Sequence, residues 1–188
     1  MPDYDSLLTM LAERSARRGH FTLSSGRTSS LYIDARLTTM SPDGLALIGP
    51  VALSTLRNSA WHIDSIGGLT LGADPISYAI AYASASTDQP IRAFTVRKEP
   101  KVHGTGQRIE GPFHAGDHVV IIEDVITTGG SALRAVEAVQ SAGGTVVGVL
   151  ALVDREEGGR EALLATGLPV LTLVRATDIL ALLPTDRA

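Results

Sequence analysis

Residues 118–139 read HVVIIEDVITTGGSALRAVEAV, and this run decides the fold. It opens as a short apolar strand of the buried type and ends in two acids, Glu123 and Asp124. A Thr/Gly turn then leads directly into an amphipathic helix. In open α/β sheets ligands sit beyond the carboxyl ends of the strands, where this turn lies. Gly129 and Gly130 allow close backbone approach, and the free N–H groups of Ser131 and its neighbours point at an anion at the helix start. Thr127, Thr128 and Ser131 add hydroxyl donors, so the turn describes a monophosphate cradle.

Glu123 and Asp124 would repel that phosphate if they pointed into it, so they need a different partner. Carboxylates are acceptors, and two vicinal ribose hydroxyls are donors at suitable spacing. A 5-phosphoribosyl group satisfies both halves. A lone Thr-Gly-Gly turn is more often an ordinary strand-to-helix connection, but here the strand, both acids, three hydroxyls and two glycines form one unbroken run. Competing phosphate motifs fail. There is no G-x-x-x-x-G-K-[ST], and the Gly-Thr-Gly at 104–106 lacks the third glycine and the strand-to-helix context of a dinucleotide fingerprint.

Outward from this run, strands and helices alternate. IDSIGGL (63–69) precedes a helix over roughly Pro75 to Ala85, then IRAFTV (91–96). After the helix over roughly Gly130 to Ser141 come TVVGVLALV (145–153), a short helix near Glu161, PVLTLV (169–174) and a final helical turn over Thr177 to Leu182. The pattern predicts an α/β fold with a central, mostly parallel sheet flanked by helices. Before it, Leu7, Leu8, Met10 and Leu11 recur at helical spacing after an Asp3 or Asp5 cap, with Gly19 as the stop. FTLSSG (21–26) and LYIDAR (31–36) read as strands around a Ser/Gly turn, and Ser41-Pro42 opens a helix through roughly Arg57. The division expected is one domain, 1–188, with cap elements over 1–60 and the core sheet over 61–175. RKEPKVHGTGQRIEGPFHAGD (97–117), with four glycines and two prolines, fits no buried period. A loop that long inside a compact domain is usually functional or disordered, which makes it a candidate lid.

Composition sets the limits on function. Sixteen basic against twenty acidic residues give a formal charge of -4, so the whole molecule has no footprint for nucleic acid or an anionic membrane. Cysteine is absent, which excludes disulfides and thiolate nucleophiles and fits a reducing compartment. The N-terminus lacks the basic-then-apolar order of a signal peptide, and no apolar run is long enough to span a bilayer. A cytoplasmic protein is expected.

VIIEDVITTGGSA resembles the motif with which type I phosphoribosyltransferases bind 5-phospho-α-D-ribose 1-diphosphate (PRPP). The resemblance implies their fold and a PRPP site made of Glu123, Asp124, Val125, Ile126, Thr127, Thr128, Gly129, Gly130 and Ser131. RKEPKVHG (97–104) is similar to the mobile catalytic loop of orotate phosphoribosyltransferases. It implies that Arg97, Lys98, Lys101 and His103 contact the diphosphate, with Lys101 as the main catalytic residue. Independently of the family, cations on a closing lid stabilise the charge that a departing diphosphate gathers. FTLSSGRTSSLYIDAR (21–36) resembles the family's orotate-binding segment, in which a residue pair, here Leu31 and Tyr32, packs on the pyrimidine. LVDREEGG resembles the strand end that presents an arginine, here Arg155, to orotate; a guanidinium fork matches a carboxylate bidentately. Thr127 would meet the polar edge of the ring.

The resemblance covers nearly the whole chain and implies synthesis of orotidine 5'-monophosphate in pyrimidine (UMP) biosynthesis. It also implies a Mg2+ ion held mainly through PRPP, without protein ligands, and a homodimer in which Lys98 serves the neighbouring site. Two departures stand out. Many bacterial members carry Lys where this chain has Ser24, and a Tyr-Lys pair where it has Thr70-Leu71, so backbone N–H groups around Leu71, Gly72 and Ala73 are left to bind anionic oxygens. Two other functions keep the cradle: transfer to a purine or uracil, which needs no carboxylate fork, and a PRPP-sensing regulator, which needs no basic lid.

Overall fold

The structure is a computed structural model that describes residues 3–22, 28–99 and 108–184. Helix α1 (Tyr4–Met10) is capped by Asp3, whose carboxylate accepts the Ser6 N–H at 3.0 Å, and continues as a π-helical turn over Leu11–Ser15. The helical segment ends at Ser15, not at Gly19, which lies inside strand β1 (Ala16–Thr22). The reason is tertiary. The Ser15 hydroxyl is buried against Thr38 Oγ1 at 2.7 Å, and its carbonyl accepts the Asp34 N–H at 2.8 Å. These contacts start an antiparallel pairing with β2 (Thr28–Ile33). β2 has the predicted length but lies three residues earlier than 31–36, because Arg36–Thr39 turns into a short helix, α2. Helix α3 (Pro42–Asn58) starts as expected, with Pro42 in the first turn and the Ser41 hydroxyl accepting the Gly44 N–H at 3.1 Å.

The central sheet has six strands in the order β5-β4-β3-β6-β7-β8. They are β3 (Ser65–Leu69), β4 (Arg92–Val96), β5 (Ile109–Glu110), β6 (His118–Ile126), β7 (Thr145–Asp154) and β8 (Val170–Arg175). All neighbours are parallel except the β4–β5 pair. Four helices complete the sheet: α4 (Ala73–Ser84), α5 (Gly130–Ser141), α6 (Gly159–Leu164) and α7 (Ala176–Leu182).

Alternation along the strands divides the apolar residues between two cores. Val120, Ile122, Leu150 and Leu152 join Leu7, Ile48, Leu56, Ile76 and Ile179 on the face covered by α1, α3, α4 and α7. Val119, Ile121, Val149 and Ala151 join Ala132, Val136, Val139 and Leu163 on the face covered by α5 and α6. The helices after β3 and β6, two adjacent strands, thus go to opposite faces. That is a topological switch point, and it opens a crevice at the carboxyl ends of these strands.

The stretch from 97 to 117 is not all loop. Ile109–Glu110 pairs with Thr95–Val96, Phe113 meets Phe94 edge-on at 5.4 Å, and Asp117 accepts from Ser65 Oγ at 2.9 Å and Arg92 at 2.7 Å. A strand of two residues is too short to carry a period. No described helix is long and apolar enough to cross a membrane.

Candidate functional site

A cavity of about 360 Å³ lies at the switch point. Glu123, Asp124, Val125, Thr127 and Ser131 line it from β6 and the start of α5, and Leu69 to Gly72 from the β3–α4 turn. Tyr32 and Arg36 border it from the cap, Lys98 from beyond β4, and Arg155 from the end of β7.

The β6–α5 turn depends on two glycines. Gly129 takes φ +79, a left-handed conformation that favours glycine, and caps α5 without a side chain. A Cβ on Gly159, at the start of α6, would lie 2.5 Å from the Thr127 carbonyl oxygen and 2.8 Å from the Gly129 nitrogen. The two segments therefore pack backbone to backbone. No side-chain cap closes the start of α5, which leaves its first N–H groups for an anion.

Asp124 packs against the β3–α4 turn: a Cβ on Gly72 would lie 2.5 Å from its carboxyl carbon. Its Oδ1 accepts the Val125 N–H at 2.9 Å. Burial pushes the Asp124 carboxyl up, opposed by that N–H and by the Arg36 charge. Glu123 is pushed up to about 8, by burial first and by the neighbouring Asp124 carboxylate second. The pair holds a proton near neutral pH, and donors or a positive charge entering the cavity would favour its release. In the first turn of α4, Asp74 accepts from Thr70 Oγ1 at 2.6 Å and Thr95 Oγ1 at 2.8 Å, which ties down the turn containing the cis Thr70–Leu71 peptide.

Arg155 is only 9 % exposed. Its Nη2 donates to Leu31 O at 2.8 Å and Ser29 Oγ at 2.9 Å and pairs with Glu157 Oε1 at 2.8 Å. Its Nε is buried without a hydrogen-bond partner among the described residues. Nη2 is thus anchored by Leu31, Ser29 and Glu157, which fixes the orientation of a cation that borders the cavity.

The expected flat pair is split. Alternation along β2 buries the Leu31 side chain in the core, 3 % exposed, and turns Tyr32, 42 % exposed, to the cavity. Leu31 reaches the site through its carbonyl alone. Ile126 likewise belongs to the core beneath α5, while Thr128 is exposed. Among the loop cations, Lys98 lines the cavity, and Arg97 is exposed and pairs with Glu110 at 3.6 Å. Lys101 and His103 lie outside the described residues, as does Ser24. The sequence reading passed over two groups here: Arg36 sits in a stretch read as strand, and Glu157, the second acid of REEGG, gave no local signal of an ion pair. Gly72 was expected to offer its backbone to an anion, and its contact with Asp124, an acid far away in sequence, came only with the fold.

A family profile described as the phosphoribosyl transferase domain matches residues 67–163. An orotate phosphoribosyltransferase of Aquifex aeolicus is 44% identical over 183 residues, covering 96% of this chain and 99% of the relative. One of Rhodopseudomonas palustris is 46% identical over 178 residues, 93% of this chain and 94% of the relative. The crystal structure of the Mycobacterium tuberculosis orotate phosphoribosyltransferase in complex with PRPP is 41% identical with a TM-score of 0.77, covering 95% of this chain and 99% of that one. Similarity at this level runs through the cap as well as the sheet, and it establishes that the chain belongs to the orotate phosphoribosyltransferase family.

Proposed function

We propose that this cavity transfers the 5-phosphoribosyl group of PRPP to N1 of orotate, giving orotidine 5'-monophosphate and diphosphate in pyrimidine (UMP) biosynthesis. One observation carries the reading: an uncapped helix start, an acid pair and a buried, anchored arginine converge on a single cavity. These groups complement a phosphate, a ribose diol and a carboxylate respectively.

Placement supports the following roles. The α5 start and the hydroxyls of Thr127, Thr128 and Ser131 hold the 5-phosphate, and Glu123 and Asp124 accept the ribose hydroxyls. Arg155 binds the orotate carboxylate, Tyr32 packs on the ring, and Thr127 meets its polar edge. Cleavage of the C1–O bond runs ahead of attack by N1, with inversion at C1. Lys98 at the cavity, with Arg97, Lys101 and His103, stabilises the charge gathering on the leaving diphosphate. Mg2+, carried mainly by PRPP, supplies charge neutralisation of the phosphates. Burial raises both the Glu123 and Asp124 carboxyls, and the proton that Glu123 keeps near neutral pH would leave as the charge and the ribose donors enter. Orientation of the two substrates is the rest of the catalysis.

The working form is a homodimer. An apolar groove between α3 and α4, lined by Met40, Leu45, Pro50, Tyr78 and Tyr82, adjoins the cavity, and Leu71 borders both. Tyr82 is 86% exposed. A second copy seated here stands beside the diphosphate end of the site. Residues 1–188 act as one domain, 1–60 as its cap and the part of 97–117 that precedes β5 as its lid, and a cytoplasmic location fits a chain without cysteine.

The test follows orotate absorbance with the purified protein, PRPP and MgCl2, beside a reaction without PRPP. Loss of absorbance only in the complete mixture, with orotidine 5'-monophosphate as product, is expected. Orotate left intact by protein that binds PRPP would remove the base assignment. Lys98 borders the cavity of its own chain, so activity regained on mixing the inactive variants Lys98→Ala and Arg155→Ala would show that it also serves the neighbouring site, and no recovery argues against shared sites.

A further inference from the structure

We propose that His62, Asp64 and His118 form a binding site for a divalent transition-metal ion of the zinc class, at the end of the sheet opposite the catalytic cavity. β3 and β6 are parallel neighbours in the register Ser65↔Val119, so the residues just before that pair, Asp64 and His118, come side by side. The backbone fixes them: Asp64 N–H donates to His118 O at 2.9 Å, and His118 N–H donates to Asp64 Oδ2 at 2.8 Å. His62 stands two residues earlier, and its ring meets the His118 ring edge-on at 5.0 Å between centroids. One ligand atom from each of the three residues falls within 4.8 Å of the others.

Two of the spacings suit a coordination shell that takes both oxygens of the carboxylate. Zinc binds imidazole nitrogen and carboxylate oxygen at about 2.0–2.2 Å, which sets two ligands of a tetrahedral ion roughly 3.3–3.5 Å apart. Here His62 Nε2 lies 3.4 Å from Asp64 Oδ1, and His118 Nδ1 lies 3.2 Å from Asp64 Oδ2. The carboxylate thus faces one histidine with each oxygen. His62 is exposed and the other two are half-buried, so the backbone pins two ligands while the third is free to adjust and water can complete the shell. Two imidazoles select zinc, nickel or copper over magnesium, which prefers oxygen donors. The ion would clamp the segment before β3 onto the start of β6. β3 and β6 run from this cluster toward the cavity, so its occupancy is separate from catalysis.

The test uses the full chain, stripped with chelator and kept in excess MgCl2. It is titrated with CoCl2 to read the visible d–d absorption, and with ZnCl2 to read the melting temperature. Saturable binding near one equivalent and a rise in melting temperature are expected, with the orotate reaction unchanged. His62→Ala should weaken binding by at least the ~10–100-fold typical of losing even an outer-shell partner. His62 is exposed, so this variant keeps the fold even if Asp64→Asn does not. His20→Ala, at another exposed histidine, should bind as wild type. Absence of a saturable cobalt spectrum, or equal binding by wild type and His62→Ala, overturns the proposal.

Discussion

Replacing Gly72 by Ala tests whether the position of Asp124 matters to catalysis. Gly72 has φ -62 and ψ -45, a conformation alanine adopts freely, so the backbone is not disturbed. The added Cβ would lie 2.5 Å from Asp124 Cγ and Oδ1 and 2.6 Å from Oδ2. Ordinary contact begins near ~3.5 Å, so the carboxyl must withdraw by about 1 Å. It is the end of a side chain and can do so while the fold survives. A displacement of that size at a positioning group costs on the order of 100-fold in rate, about 2.7 kcal/mol of transition-state stabilisation. Initial rates of orotate consumption at varied PRPP should show kcat/KM for PRPP lower by that factor, while KM for orotate changes little. The melting temperature should stay within a few degrees of wild type. A folded Gly72→Ala protein with wild-type kcat/KM would refute the assignment of Asp124 to the ribose.

Three further outcomes follow. Arg155→Ala should raise KM for orotate more than KM for PRPP and, by leaving the half-buried Glu157 without its partner, destabilise the fold by up to about 3 kcal/mol; steady-state kinetics and chemical denaturation check both. Glu123 has its folded pKa raised from 4.5 to about 8, so the native state keeps a proton that the unfolded chain gives up, and stability falls as pH rises between those values. Glu123→Gln should therefore gain on wild type by a few kcal/mol, roughly, from pH 5 to pH 9 in melting experiments, and parallel curves would contradict the burial argument. In Gly68→Ala the new Cβ would lie 2.0 Å from the Ile122 carbonyl oxygen and 2.7 Å from Ala73 Cβ, both held in the core. An overpacking loss of about 1–3 kcal/mol or more, seen as a lower denaturation midpoint, is expected.

The sequence by itself determined five of the six strands of the sheet, its helices and the strand–acid–turn–helix run that lines the cavity. Those signals are local, since apolar strands of β6 length, a glycine turn and a helical period are each read from adjacent residues. Helix α5 over Gly130–Ser141 was legible for that reason, and so was the α3 start at Ser41-Pro42. The tertiary structure alone decided features that depend on residues distant in the chain. Pairing with β2 ended the first helix at Ser15, and the edge of β4 drew Ile109–Glu110 into the sheet. The same holds inside the cavity. Strand alternation sent Leu31 to the core and Tyr32 to the site, and Arg155 was fixed by Leu31 and Ser29, more than a hundred residues away. Which side chain faces the cavity and which carboxylate meets which glycine are set by how the elements pack, and no spacing along the chain encodes them.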